Sequence, residues 1–181
     1  MARAHMKTLL AAGLILLCTL ALARAADPAT PEARLAALGL TLPATPAAVA
    51  NYVPAVRSGP LVFLAGQIPR GADGKYLTGK LGRDLTEAEG AAAARTCALQ
   101  LIAALKAEVG DLSKVKRIVR VGGFVACTDD FTAQPKVING ASDLLVEIFG
   151  DRGRHARAAV GVNALPLGAP VEIELIAEIA E

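Results

Sequence analysis

The C-terminal run "HARAAVGVNALPLGAPVEIELIAE" carries two residues able to do chemistry on a small anion, Arg157 and Glu172. A guanidinium presents a planar fork of donors that matches a carboxylate through two parallel hydrogen bonds. A carboxylate held nearby can take a proton from water and so drive an addition. Each residue also has an ordinary explanation. An arginine at the mouth of an apolar strand is unexceptional if it points into water and costly if buried without a partner. Glu172 alternates with Glu174 and Glu178 along what reads as the polar face of a strand.

Other chemistries find less support. Gly74 to Lys80 reads G-x-x-x-x-G-K, most of a phosphate-binding loop. Leu81 stands where a Ser or Thr would hold magnesium, and the next helix starts only at about Thr86, so the stretch reads as a surface loop. No C-x-x-C, H-E-x-x-H or comparable ligand cluster exists, and no metal or organic cofactor is expected. Cys97 lies in an Ala/Leu helical pattern and Cys127 ends a β-like run. Both read as buried free thiols, with a single disulfide as the alternative. His155 shares a face with Arg157 if the chain is already extended there, and reads as a rim residue.

The 181 residues suggest one domain, and 54% apolar content with 3% aromatics implies a core of Ala, Val, Leu and Ile. Part of that apolar content belongs to residues 1–25. There Lys7 precedes the run "LLAAGLILLCTLALA", and Ala23-x-Ala25 offers a cleavage site before Ala26. The run is shorter than the ~20 residues of a membrane span. It reads as a cleaved export signal rather than an uncleaved anchor, which points to a periplasmic or secreted protein with no stable membrane anchor. Removing Arg3, Lys7 and Arg24 leaves 16 Lys+Arg against 17 Asp+Glu, a net charge of about −1. No cationic excess remains to track a nucleic-acid backbone, so no nucleic-acid partner is expected.

Residues 26–50 read as a flexible or extended lead, with a short helical turn after Leu35, and residues 51–181 as the domain itself. "YVPAV" and "LVFLAGQI" are two β-like runs around the turn residues of "RSGP". A helix begins at Thr86, where Thr-Glu-Ala-Glu forms a capping box. Its apolar stripe runs Ala94, Ala98, Leu101, Leu105, Val109, and Gly110 stops it. "KVKRIVRVGGFVAC" reads as a long strand, and a second helix spans about Pro135–Phe149. Strands at about Ala158–Asn163 and Val171–Glu178 close the chain. The order ββαβαββ predicts an α+β domain, a mainly antiparallel sheet with two helices on one face.

With those elements placed, "YVPAV…LVFLAGQIP", the capped helix and "HARAAVGVNALPLGAPVEIELIA" resemble the RidA/YjgF family of reactive-intermediate (enamine/imine) deaminases. The resemblance covers about Asn51 to Glu181. Its most specific part is Ala156-Arg157, then Leu165-Pro166, then Val171-Glu172-Ile173-Glu174. It implies a chorismate-mutase-like fold, a homotrimer, and ligand pockets in the clefts between subunits. Arg157 then matches the residue that grips the substrate carboxylate, and Glu172 the acid that activates the attacking water. Tyr52 matches an aromatic pocket wall, the backbone of Ala159 a substrate hydrogen-bonding position, and Asn139 a further pocket position. Ala65 and Ala159 stand where many members carry Ser and Cys, which removes a hydroxyl and a thiol from the pocket.

The resemblance implies hydrolysis of 2-imino or enamine acids to 2-keto acids and ammonia. The alternative is a non-catalytic protein of the cell envelope that binds small carboxylates in the same cleft. Endoribonuclease activity stands third, because aromatics for stacking bases are sparse.

Overall fold

The computed structural model describes residues 30–44, 51–71 and 73–180. The expected export signal, residues 1–25, lies outside them. No helix among the described residues is long and apolar enough to cross a membrane. In chain order the elements are α1 (Pro31–Ala37), β1 (Ala55–Ser58), β2 (Leu61–Gln67), α2 (Glu87–Val109), β3 (Val115–Ala126), α3 (Gln134–Phe149), β4 (Ala156–Val162) and β5 (Val171–Ile179). Beyond α1 this is the ββαβαββ order read from the sequence.

The capping box starts α2 as expected. Thr86 Oγ1 accepts from the Glu89 N–H at 3.3 Å, and Glu89 Oε2 accepts from the Thr86 N–H at 2.8 Å. Both satisfy donors that the first helical turn leaves orphaned. The five strands lie in the order β1-β2-β5-β3-β4. Every pairing is antiparallel except β3 with β4, and α3 supplies the crossover that a parallel pair requires. In β5, Val171, Ile173, Leu175, Ala177 and Ile179 are buried against the helices, while Glu172, Glu174, Ile176 and Glu178 face the other way. The core lies between the sheet and the paired helices α2 and α3. Leu101, Leu105, Ile138, Leu144, Leu145 and Ile148 are all fully buried there.

The reading of residues 26–50 as a flexible or extended lead needs one correction. Pro31–Ala37 is helical and docked on the domain. Thr30 Oγ1 accepts from the Ala33 N–H at 3.2 Å, Leu35 is buried, and Glu32 accepts from the Leu112 N–H at 2.9 Å and from Lys106 Nζ at 3.2 Å. A Thr cap followed by Pro in the first helical turn is a start signal, and it outweighs the general Pro/Ala looseness of the stretch.

Helices α2 and α3 pack tightly at Gly140, where a Cβ would run into the backbone carbonyl of Ala91. In an open helix interior, Gly→Ala gains about 0.5–1 kcal/mol of stability. Here the sign should reverse. Gly140→Ala is expected to lose about 1–3 kcal/mol through overpacking, read as a lower urea midpoint. An unchanged or higher midpoint would show that the two helices can separate at no cost.

Candidate active site

Arg157 sits on β4, an edge strand covered on one face by α3. The crossover helix presents Asn139 and Ser142 one turn apart, and both reach the same guanidinium nitrogen. Arg157 Nη1 donates to Asn139 Oδ1 at 2.8 Å and to Ser142 Oγ at 3.0 Å. Both acceptors are neutral. Among the described residues Arg157 makes no ion pair, so its charge is held in place without being cancelled.

The backbone beside it is also available. The Cys127 N–H donates to the Val162 carbonyl at 3.4 Å, so Val162 turns its backbone groups toward the β3 side. Strand alternation then turns those of Arg157, Ala159 and Gly161 to the free edge, since the β3–β4 register is unbroken. The Ala159 methyl packs on the core. A fixed guanidinium and a backbone edge unpaired among the described residues thus lie two residues apart. Together they can hold a small carboxylate-bearing molecule.

Glu172 lies elsewhere. On β5 it occupies the face away from the helices, opposite Phe124 of β3, whereas Arg157 points to the helix side. Its surroundings are shaped by a slip in the β2–β5 pairing between Leu64 and Gln67. That bulge brings Gly66 against the Glu172 carboxylate, where any Cβ would collide with it. Glu172 is half-buried and has neither hydrogen bond nor ion pair among the described residues, whereas Glu174 takes Arg120 Nη1 at 2.6 Å. Burial, and then repulsion from Glu174, raise the Glu172 pKa above the ordinary glutamate value. An unpartnered carboxylate with a raised pKa suits a general base.

Tyr52 is 54% exposed and stands just ahead of the edge strand β1, with Val53 and Pro54 between. Pro54 pairs with Ala65 through the Ala65 N–H, so this stretch enters the sheet at the Gly66–Glu172 end. The one chain therefore presents two separate halves. Arg157, Asn139 and the Ala159 backbone lie at the β4 edge, while Glu172, with Tyr52 entering at its end, lies on the open face toward the β1 side. Sequence reasoning missed Ser142, whose spacing of three from Asn139 was the available signal. It also left His155 as a rim residue. The structure places His155 Nε2 at 3.0 Å from Ser142 Oγ, and its Nδ1 at 2.6 Å from the Gly153 carbonyl. Cys97 and Cys127 are both buried free thiols, and the described residues hold no cluster able to bind a metal.

A family model described as "YjgF/chorismate_mutase-like, putative endoribonuclease" matches residues 32–179. Protein TCP17 of Trypanosoma cruzi is 49% identical over 81% of this chain and 92% of its own length. A "putative endoribonuclease" from Shewanella oneidensis is 43% identical, with a TM-score of 0.80 over 83% of this chain and 99% of that one. RidA from an Antarctic Psychrobacter is 28% identical, with a TM-score of 0.53 over 75% of this chain and 94% of that one.

The raised pKa of Glu172 has a sign that stability can report. A carboxyl that binds its proton more tightly when folded stabilises the fold at low pH, and that contribution disappears as pH rises through the folded pKa. At neutral pH the ionised Glu172 is therefore a burden on the fold. Glu172→Gln should raise the urea midpoint at pH 7, at fixed protein concentration, and the gain should shrink below about pH 4. A midpoint lowered at pH 7 would mean that Glu172 has a stabilising partner.

Proposed function

The chain belongs to the YjgF/chorismate-mutase-like family, and on that premise we propose that it hydrolyses 2-imino acids, or their enamine tautomers, to 2-keto acids and ammonia. The observation that carries this reading is Arg157. It is held by two neutral acceptors, meets no counter-ion among the described residues, and stands beside a backbone edge that no described strand pairs. The substrate carboxylate takes the fork of Arg157, and the Ala159 backbone orients the rest of the molecule. Glu172 takes a proton from water as the oxygen adds to the C=N carbon. Glu172 passes that proton to the imine nitrogen, giving the carbinolamine, and then carries the hydroxyl proton to the same nitrogen as the C–N bond breaks, so that the carbonyl forms and ammonia leaves.

The same reading explains why the two halves lie apart in one chain. Neighbouring copies of a homotrimer would bring the β4 edge of one against the open face of the next. That open face carries Val56, Phe63 and Val160, all 42% exposed or more, together with half-buried Phe124 and Ile176. An apolar sheet face of this kind is ordinarily covered. A thin α+β layer has little concavity of its own, and a second copy would supply the missing wall.

A second reading, carboxylate binding without turnover, is favoured by Ala65 and Ala159, which bring no side-chain hydroxyl or thiol to the pocket. The endoribonuclease name carried by relatives has weaker support here. With 19 basic against 17 acidic residues, the chain lacks a cationic excess suited to RNA.

Two variants separate these readings. Arg157→Ala should abolish calorimetric binding of 2-keto acids, since truncating one partner of a desolvated ion pair costs about 2–5 kcal/mol. It should leave the thermal unfolding midpoint nearly unchanged. Glu172→Gln should retain binding and lose about 10²-fold in ammonia release from freshly generated imino acids. Binding unchanged in Arg157→Ala would place the pocket elsewhere. Turnover by wild type no faster than in Glu172→Gln and in buffer would leave the binding role alone.

A further inference from the structure

Arginine carries one of the longest and most mobile side chains, and a guanidinium that waits for its ligand in one orientation needs fixed acceptors. Asn139 supplies a carbonyl oxygen, which can only accept. Ser142 is different, because a hydroxyl both donates and accepts, and its rotation is free unless its proton has a destination. His155 provides that destination. Its Nδ1 faces the Gly153 carbonyl at 2.6 Å. A carbonyl only accepts, so the ring proton sits on Nδ1 and the lone pair on Nε2. Ser142 Oγ then donates to Nε2 across 3.0 Å and turns its own lone pairs to Arg157 Nη1, also at 3.0 Å.

The far end of this chain of bonds is rigid. Gly153 is buried and packs so closely on the Leu145 backbone of α3 that a Cβ would not fit. Its carbonyl therefore has a fixed direction. The order of constraint runs from the Gly153 backbone to His155, then to Ser142, then to the guanidinium. We propose that His155, acting through Ser142, is a positioning residue that holds Arg157 in its carboxylate-receiving orientation. Burial, with the Arg157 charge adding to it, keeps the His155 pKa below its usual value, consistent with the neutral ring this arrangement uses. Ser142 is the joint of the device, and it serves only while the imidazole offers a lone pair.

This inference rests on the reading of Arg157 as the carboxylate anchor, and the experiment keeps the two apart. Calorimetric titration with 2-ketobutyrate and steady-state imine hydrolysis would be run on wild type, Arg157→Ala, His155→Ala, Ser142→Ala, the His155→Ala/Ser142→Ala pair and His155→Gln. The single Ala variants at 142 and 155 should each weaken 2-ketobutyrate binding and raise KM by about 3- to 10-fold, the scale of one lost hydrogen bond. Turnover at saturation should stay within about twofold, because uniform binding rather than the chemical step is lost. The double variant should be no worse than the weaker single, as expected for residues acting in series. His155→Gln, whose amide reaches the position of Nε2, should recover most of the affinity.

Wild-type affinity in both single variants, with Arg157→Ala unable to bind, would overturn the positioning role and leave the anchor standing. Additive losses, or affinity that falls only together with the thermal midpoint and is not rescued by His155→Gln, would also overturn it. If wild type itself fails to bind 2-ketobutyrate, the anchor reading falls and takes the positioning role with it.

Discussion

A sheet has two faces, and among the described residues long helices cover one of them. Helices α2 and α3 bury Val171, Ile173 and Leu175 on the inner face of β5, and the intervening residues are left outside. Those residues are a mixture that water alone serves poorly. Phe63 and Val56 are exposed beside Ile176, and two carboxylates, Glu172 and Glu174, stand close enough to repel each other. One of the carboxylates is neutralised by Arg120. The other has no partner among the described residues, and it is the one to which the proposed reaction gives the activation of water.

The same asymmetry explains the opposite half. The edge strand β4 is shielded by α3 on its inner side only, so a cation there can be fixed by neutral side chains and still be reached from outside. Asn139 and Ser142 act as guides rather than counter-ions. A carboxylate in their place would have stabilised Arg157 but satisfied it, and an anionic ligand would then have had to displace it. The price of the open arrangement is an uncompensated positive charge at one site and a perturbed carboxylate at another. Two groups of opposite sign, each without a counter-ion among the described residues, are what the proposed two-copy site would need.

Much of the architecture was legible in the sequence because its signals are local. The Thr86–Glu89 box, the three-and-four spacing in α2, the terminal glycines and the period-two pattern of β5 each specify an element without reference to the rest. The start of α1 was missed because Thr30-Pro31-Glu32 resembles loose chain unless its capping roles are weighed against composition. The site was legible only as a set of residues. Alternation places Arg157 or Glu172 on a face of its own strand, yet which faces coincide depends on sheet order. Here β3 lies between β4 and β5, and α3 covers one side. The bulge that brings Gly66 against Glu172, and the Ser142–His155 contact, arise from long-range packing that no short pattern encodes.

The central claim is that Arg157 of one copy works with Glu172 of another, and mixing two inactive variants tests it most directly. Arg157→Ala and Glu172→Gln would be unfolded together in equal amounts, refolded, and assayed for ammonia release from imino acids. Random assembly should restore about one quarter of the wild-type rate, the share of clefts that pair an intact Arg157 with an intact Glu172 from the neighbouring copy. No recovery, in mixed oligomers whose composition is confirmed by mass, would contradict the account and place both residues' work within a single chain.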